Sequence, residues 1–168
     1  MKILVCGGAG FIGSTFIRNF LKNNIDTKIT NLDALTIGSN LASLKDLENN
    51  QNYNFIKDDI RNDTQIDKLI KETDIVVNFA AESHVDRSIA NPKPFIETNV
   101  LGTYTILEGI RKYDKKFIHV STDELYGDAG NQDSFNEKSI LKPGNPYSAT
   151  KAAADHLVGS YVRTYGVK

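Results

Sequence analysis

Two short runs in this chain of 168 residues carry side chains able to do chemistry together: Ser121-Thr122-Asp123-Glu124 and, after a gap, Tyr147-Ser148-Ala149-Thr150-Lys151. Tyr147 and Lys151 stand four apart, a spacing that puts both on one face of a helix. A nearby ammonium favours a phenolate, so Lys151 is expected to draw the Tyr147 phenol down from about 10 toward neutrality and make it a usable base. Asp123 and Glu124 add what hydride transfer alone does not need, a proton donor and a proton acceptor for eliminating water. For that work the adjacent carboxyls must titrate apart, one protonated and one ionised. A tyrosine and lysine at this spacing are common on plain helix surfaces, and paired acids are common in solvated loops. The meaning of both runs therefore depends on what the rest of the chain builds around them.

Near the start, Gly7-Gly8-Ala9-Gly10-Phe11-Ile12-Gly13 places glycines at three-residue intervals, after a strand-like run and at the opening of a helix-like one. Gly7 suits a tight turn, Gly10 the approach of a pyrophosphate, and Gly13 close packing, while the helix N-terminus favours phosphate charge. Asp33 falls at the end of the second strand-like run, where a carboxylate accepts hydrogen bonds from both adenosine ribose hydroxyls. It repels a 2′-phosphate, and the neighbouring Ala34 offers no compensating cation, so NAD is expected over NADP. Asp59 and Ile60 follow the third run and are candidates for the adenine edge, although a solvated loop aspartate fits the pattern nearly as well. After the fourth run, Ala80 and Ala81 leave room for a cofactor against the backbone, and Ser83 and His84 can reach a polar ligand.

The elements that must position these residues alternate in the manner of a doubly wound parallel sheet with helices on both faces, a Rossmann-type α/β fold. Lys2–Cys6, Thr27–Leu32, Tyr53–Lys57, Asp74–Phe79 and Lys116–Ser121 read as strands. Phe11–Lys22 and Asp63–Lys71 read as helices. A third starts at Pro92 or Pro94 and runs to about Arg111, and a fourth extends from Pro146 to about Thr164. Residues 128–145 lack periodicity and read as an active-site loop. In such a sheet ligands bind beyond the carboxyl ends of the strands, where Gly7, Asp33, Asp59, Ala80 and Thr122 all fall. A sixth strand is expected to follow Lys168.

Composition narrows the class. Twenty Lys and Arg against 21 Asp and Glu give a net charge of −1, which provides no drive toward nucleic acid or an anionic membrane. No apolar stretch approaches the roughly 20 residues of a membrane span, and no signal peptide is evident. The single cysteine, Cys6, excludes an internal disulfide, fits a reducing cytoplasm, and reads as a small buried residue of the first strand. His84, His119 and His156 are too scattered for a metal site. His119 reads as a satisfied core histidine, and His156 as part of a packed or solvated helix face.

The glycine loop, Asp33, the hydroxyl of Thr122 and the Tyr147–Lys151 pair together resemble the short-chain dehydrogenase/reductase superfamily in its extended, nucleotide-sugar-modifying branch. Asn78–Ile89 (NFAAESHVDRSI), Thr98–Leu107 (TNVLGTYTIL), Val120–Gly127 (VSTDELYG) and Tyr147–Gly166 (YSATKAAADHLVGSYVRTYG) are similar to the dTDP-glucose 4,6-dehydratases. The resemblance spans this chain and about the first half of a family member. It implies one NAD-binding domain over residues 1–168, with the nucleotide-sugar-binding part beyond. It also implies cofactor contacts from Phe11 and Ile12, from Asp33, Ala34, Leu35 and Thr36, from Asp59 and Ile60, from Phe79, Ala80, Ala81 and Ser83, and from Thr98, with Ser83 and Thr122 also touching substrate.

By the same resemblance, Tyr147 takes the proton of the sugar C4 hydroxyl as hydride passes from C4 to NAD+, Lys151 holds the nicotinamide ribose, and Thr122 bonds the reacting hydroxyl. Glu124 then removes the C5 proton, Asp123 protonates the departing C6 hydroxyl, and the hydride returns to C6. The implied substrate is dTDP-glucose and the implied assembly a homodimer paired through the helices near 92–111 and 146–164. On their outer faces Ile106, Ala153 and Leu157 are candidates, unless these pack on the sheet. Two other readings remain: a nucleotide-sugar 4-epimerase of the same fold, against which the acidic pair argues, and a truncated, inactive NAD-binding module.

Overall fold

The computed structural model describes residues 1–130 and 134–168. Five parallel strands form one sheet: β1 (Lys2–Cys6), β2 (Lys28–Asp33), β3 (Tyr53–Lys57), β4 (Ile75–Asn78) and β5 (Lys116–His119). Their order is β3-β2-β1-β4-β5, so the chain reverses direction across the sheet between β1 and β4. Each crossover carries at least one helix, as parallel strands require. These are α1 (Phe11–Asn23), a 3-10 turn (Leu41–Leu47), α2 (Asp63–Lys71), and, between β4 and β5, α3 (Val85–Ala90) followed by a long helix. The expected Rossmann-type architecture is present, with strand boundaries within two residues of those read from sequence.

The alternation along β1 explains why both faces are covered. Ile3 and Val5 point to one side, where they pack with Ile17 and Leu21 of α1 and Leu44 and Leu47 of the 3-10 turn. Leu4 and Cys6 point to the other, into a larger core of Ile66 and Ile70 from α2, Ile106, Leu107 and Ile110, and Tyr161. Ile106 is fully buried there, so it belongs to the sheet-facing side and not to an outer face. The large apolar residues that the long helices do expose are Ile96, Leu101, Tyr104, Val162 and Tyr165.

The long helix begins with Pro92 as its cap and comprises α4 (Lys93–Phe95), a π-helical stretch (Ile96–Gly102) and α5 (Thr103–Tyr113), continuous in backbone conformation. Gly102 lies in the π-helical stretch against Ile60, so close that a Cβ would overlap that side chain. Its last helix, α6 (Pro146–Tyr165), opens with a capping box. The Asn145 carboxamide accepts from the Ser148 N–H at 2.8 Å and the Ser148 hydroxyl bonds the Asn145 N–H at 3.2 Å, with Pro146 in the first turn. At the far end, the Lys168 carbonyl accepts from the Phe117 N–H of β5 at 2.7 Å. The expected sixth strand falls beyond the residues of this chain. Of the expected loop 128–145, residues 131–133 lie outside the described residues, while Lys142 N–H bonds the Leu125 carbonyl at 2.9 Å.

Candidate active site

A cavity of about 630 Å³ opens where the sheet reverses, beyond the carboxyl ends of β1 and β4. The crevice position is the one such a topology creates, because the crossovers on either side leave toward opposite faces. Gly7, Gly10, Phe11, Ile12 and Gly13 line it from the first loop. Gly7 has φ of +77°, and a Cβ there would lie 2.5 Å from the Ala80 nitrogen, so only glycine fits the turn. A Cβ on Gly13 would overlap the Gly7 carbonyl oxygen and crowd Gly8, so this glycine packs α1 onto its own loop and not, as expected, onto the strand. Gly10 caps α1 without any side-chain bond, and no acidic residue occupies the first turn, which leaves the amides of that turn available to a phosphate.

Asp33, Ala34 and Thr36 line the cavity on the β2 side. The Asp33 carboxylate is buried and already accepts three hydrogen bonds: Ala9 N–H on Oδ2, and Leu35 N–H and the Ser39 hydroxyl on Oδ1, all at 2.8 Å. About four lone-pair positions exist on a carboxylate, so one, on Oδ2, remains for a ribose hydroxyl. Accepting both ribose hydroxyls, as expected from sequence, requires the Ser39 hydroxyl to turn away. Leu35 itself does not line the cavity; it holds the loop with a left-handed φ of 55° while donating to Asp33. The only lysine and arginine among the described lining residues are Lys151 and Arg61. Arg61 is bound to both oxygens of Asp59, at 3.0 and 2.7 Å, and to Glu97 at 3.1 Å. Among the described residues, no free cation therefore lines the cavity beside Asp33 to neutralise a 2′-phosphate. Asp59 and Ile60 line the far end of the cavity, with the Asp59 carboxyl held below its usual range by Arg61 despite partial burial. These groups fit a dinucleotide lacking the 2′-phosphate.

Phe79, Ala80, Ala81, Ser83 and His84 line the β4 side, Thr98 the π-helical stretch, and Tyr147 and Lys151 the floor from α6. Ser83 and His84 are exposed at the mouth. Tyr147 is 8% exposed and Lys151 4%. The Lys151 ammonium donates to the Val120 carbonyl at 2.7 Å, and burial pushes it down to about 8. Tyr147 departs from expectation. Its phenol is pushed up by burial and by the negative fields of Glu124 and Asp123, partly offset by a bond with the Thr122 hydroxyl. The lysine has not activated it here, because its ammonium is engaged on β5's carboxyl end.

Thr122, Asp123 and Glu124 do not line the cavity itself. They form a 3-10 turn (Asp123–Tyr126) at its edge, capped by the Thr122 oxygen, which accepts from the Glu124 N–H at 3.3 Å. Both acids are exposed, so the two different environments expected of them are not built by these residues. The Glu124 carboxylate accepts from Asn145 at 3.2 Å, which ties the turn to the start of α6. His119 also departs from the reading of a satisfied core histidine: its Nε2 is buried without a hydrogen-bond partner among the described residues. His156 is exposed, and Cys6 is fully buried with its thiol pushed up to about 12 by desolvation. No group of three potential metal ligands exists among the described residues.

Several residues that build the site escaped the sequence. Ser39 holds Asp33; Ser88 of α3 accepts from the Tyr147 N–H at 3.1 Å; and Asn99 bonds Thr150 at 3.0 Å and both Glu82 backbone groups. Only Asn145 carried a local signal, as a cap residue ahead of Pro146.

Known proteins resemble this chain in sequence and in fold. A family described as GDP-mannose 4,6 dehydratase matches residues 4–168. A curated dTDP-glucose 4,6-dehydratase from Mycobacterium tuberculosis is 46% identical over 170 residues, covering 100% of this chain and 51% of the relative. The chain thus spans about half the length of the curated relatives it matches. Among solved structures, the Streptomyces venezuelae dTDP-glucose 4,6-dehydratase DesIV, with NAD and TYD bound, superposes with a TM-score of 0.95 at 42% identity, covering 99% of this chain and 53% of that one. The Thermus thermophilus UDP-glucose 4-epimerase, in complex with NAD, superposes at 0.88 with 28% identity, covering 100% of this chain and 53% of that one. The chain belongs to the GDP-mannose 4,6-dehydratase family, and the relatives at 46–47% identity within that resemblance are dTDP-glucose 4,6-dehydratases.

Proposed function

We propose that residues 1–168 are the NAD-binding domain of a dTDP-glucose 4,6-dehydratase, a hydro-lyase of deoxysugar biosynthesis. The observation that carries this reading is the Thr122-Asp123-Glu124 turn that follows β5, near enough to Tyr147 for its threonine and both acids to act on the phenol. NAD, when bound, supplies the hydride acceptor for C4 and the donor for C6. Gly7, Gly10, Phe11, Ile12 and Gly13 hold its pyrophosphate, Asp33 to Thr36 its adenosine ribose, Asp59 and Ile60 its adenine, and Phe79 to Ser83, Thr98, Tyr147 and Lys151 its nicotinamide half.

In this reading Tyr147 accepts the C4 hydroxyl proton, with Thr122 bonding the same oxygen and Lys151 holding the ribose. Burial raises the Tyr147 phenol, so in this reading it is lowered when bound ligands bring Lys151 and Tyr147 to one ribose. The resulting 4-keto group acidifies C5–H, which Glu124 removes. Asp123 donates to the leaving C6 oxygen, so one water departs, and Glu124 returns its proton to C5. Ser83 and His84 at the mouth bind the sugar. The working assembly is a homodimer in the cytoplasm. The exposed Leu101, Tyr104, Val162 and Tyr165 on the long helices support the first, and one buried free thiol without a disulfide agrees with the second. No described helix is long and apolar enough to cross a membrane.

The test is the mass of dTDP-glucose after incubation with NAD+ and the full-length protein that contains this chain. Loss of one water without net NADH is the expected result. An unchanged mass with sugar turnover would instead support the 4-epimerase. In the Glu124→Gln variant, C4 oxidation should persist as transient NADH absorbance while water loss falls by 10²-fold or more, on the order expected for removing a general base. Unchanged dehydration in that variant would remove Glu124 from the mechanism.

A further inference from the structure

A chain of polar side chains that the proposed reaction does not use, buried at Asn78 and His119 and half-buried at Ser121 and Asp155, runs beneath Lys151. Asn78, at the end of β4, accepts from the Ala80 N–H at 3.1 Å through Oδ1, which fixes the orientation of its amide. Its NH2 group lies 3.4 Å from His119 Nδ1 on β5. That nitrogen is then the acceptor, and the ring proton resides on Nε2. Burial and the positive field of Lys151 push His119 down to about 3, so the ring is neutral. Its Nε2 has no hydrogen-bond partner, but 3.6 Å away stands Asp155 Oδ1 on α6. The other oxygen of Asp155 accepts from the Ser121 hydroxyl at 2.9 Å. Between His119 and Ser121 lies Val120, whose carbonyl receives the Lys151 ammonium. Asp155 follows Lys151 by one helical turn and is the acid whose charge opposes the burial of the lysine.

We propose that Asp155 is a positioning residue of this site: gripped by Ser121 and faced by His119, its carboxylate keeps Lys151 charged and drawn onto the end of β5. The physical need is clear from the surroundings. Burial favours the neutral amine, and a neutral lysine neither draws a phenol toward ionisation nor holds a ribose by charge-assisted bonds. The titratable groups facing this region are Tyr147 and Asp155 on α6, His119 on β5, and Asp123 and Glu124 on the turn after it. Tyr147 and His119 are neutral near pH 7, and the pair Asp123–Glu124 acts on Tyr147, which leaves Asp155 as the counter-charge for the lysine. The catalytic meaning of this arrangement rests on the reading of Lys151 given above; the charge state of the lysine does not.

The experiment is an NMR titration of this chain labelled with ¹³C at the lysine ε-carbons, in which the Lys151 signal is the one lost in Lys151→Arg. In Asp155→Asn the Lys151 midpoint should fall by about half a pH unit or more, because an opposite charge has been removed. Asp155→Glu should restore most of that fall, and Ser121→Ala, which loosens the carboxylate, should lower the midpoint by less than Asp155→Asn. A midpoint unchanged or raised in folded Asp155→Asn overturns the proposal, as does a fall of equal size in Asp155→Glu. Should Asp155→Asn not fold by far-ultraviolet circular dichroism, Ser121→Ala decides: a lower midpoint supports the proposal and an unchanged one overturns it. No sugar is present, so a fallen midpoint in a protein that dehydrates nothing would leave this proposal standing and remove the reading of the reaction instead.

Discussion

At the scale of single residues, the site holds its chemistry at the expense of stability, and Lys151 shows this most clearly. The residue is 4% exposed, and its ammonium is pushed from the usual lysine value near 10.5 down to about 8. The folded protein therefore binds this proton less tightly than the unfolded chain. Between about pH 8 and pH 10.5 the unfolded state carries more protons, so this group's contribution to stability rises with pH through that window. Below pH 8 the full penalty applies. Lys151→Met keeps the volume, removes the buried charge, and loses one bond to the Val120 carbonyl. The shift corresponds to about 3 kcal/mol and the orphaned carbonyl costs about 1–2, so the variant should gain roughly 1–2 kcal/mol at pH 7. Urea unfolding at pH 7 and again near pH 10.5 checks this. The gain should shrink at the higher pH, and a destabilised variant at pH 7 would show that the lysine is well paid in hydrogen bonds after all.

At the scale of elements, what was legible in the sequence is what has a short-range cause. The glycine loop was legible because a left-handed Gly7 and a Cβ-free Gly13 have a fixed spacing around a strand–helix turn. The start of α6 was legible through Pro146, which suits the first turn of a helix. Asp33 fell at the end of β2 because the apolar run stops there. The π-helical stretch was not legible, since Ile96–Gly102 has an ordinary helical composition and its backbone is set by partners far away in sequence. Asn99 within it makes three buried bonds: Oδ1 to the Glu82 N–H at 2.9 Å, and Nδ2 to the Glu82 carbonyl and the Thr150 hydroxyl, both at 3.0 Å. It joins the long helix, the β4 loop and α6 around the cavity. Nor were the short helix α3 or the bond from Tyr147 N–H to Ser88 legible, for the same reason. Asn99→Ala should cost at least about 2 kcal/mol, because it strands a buried N–H and a buried carbonyl at once. Chemical denaturation gives the number, and a loss under 1 kcal/mol would mean that water replaces the carboxamide.

At the scale of the whole molecule, the strand order decides where a ligand goes and the charge distribution decides which one. With β3-β2-β1-β4-β5, the crevice lies between β1 and β4, and Asp33 at the end of β2 is the acid that meets whatever leaves the glycine loop. The Asp33 carboxylate has one open lone-pair position, on Oδ2, and no arginine or lysine beside it, because Arg61 is spent on Asp59 and Glu97. A ribose hydroxyl can donate to that oxygen, whereas a 2′-phosphate brings two negative charges against it in a buried setting. The chain should therefore bind NAD+ and discriminate against NADP+ without any part of the protein beyond Lys168. At a hundred times its dissociation constant NAD+ adds about 2.7 kcal/mol, which for a domain of this size raises the unfolding midpoint by roughly 5–10 °C. At the same concentration NADP+ should give less than a third of that rise. Asp33→Asn, which keeps the shape and removes the charge, should narrow the gap between the two nucleotides, mainly by improving NADP+. Equal rises for both nucleotides in the unmodified chain would show that Asp33 does not meet the ribose. A narrowed gap in the variant would establish that the carboxylate's charge, and not the shape of the loop, selects the cofactor.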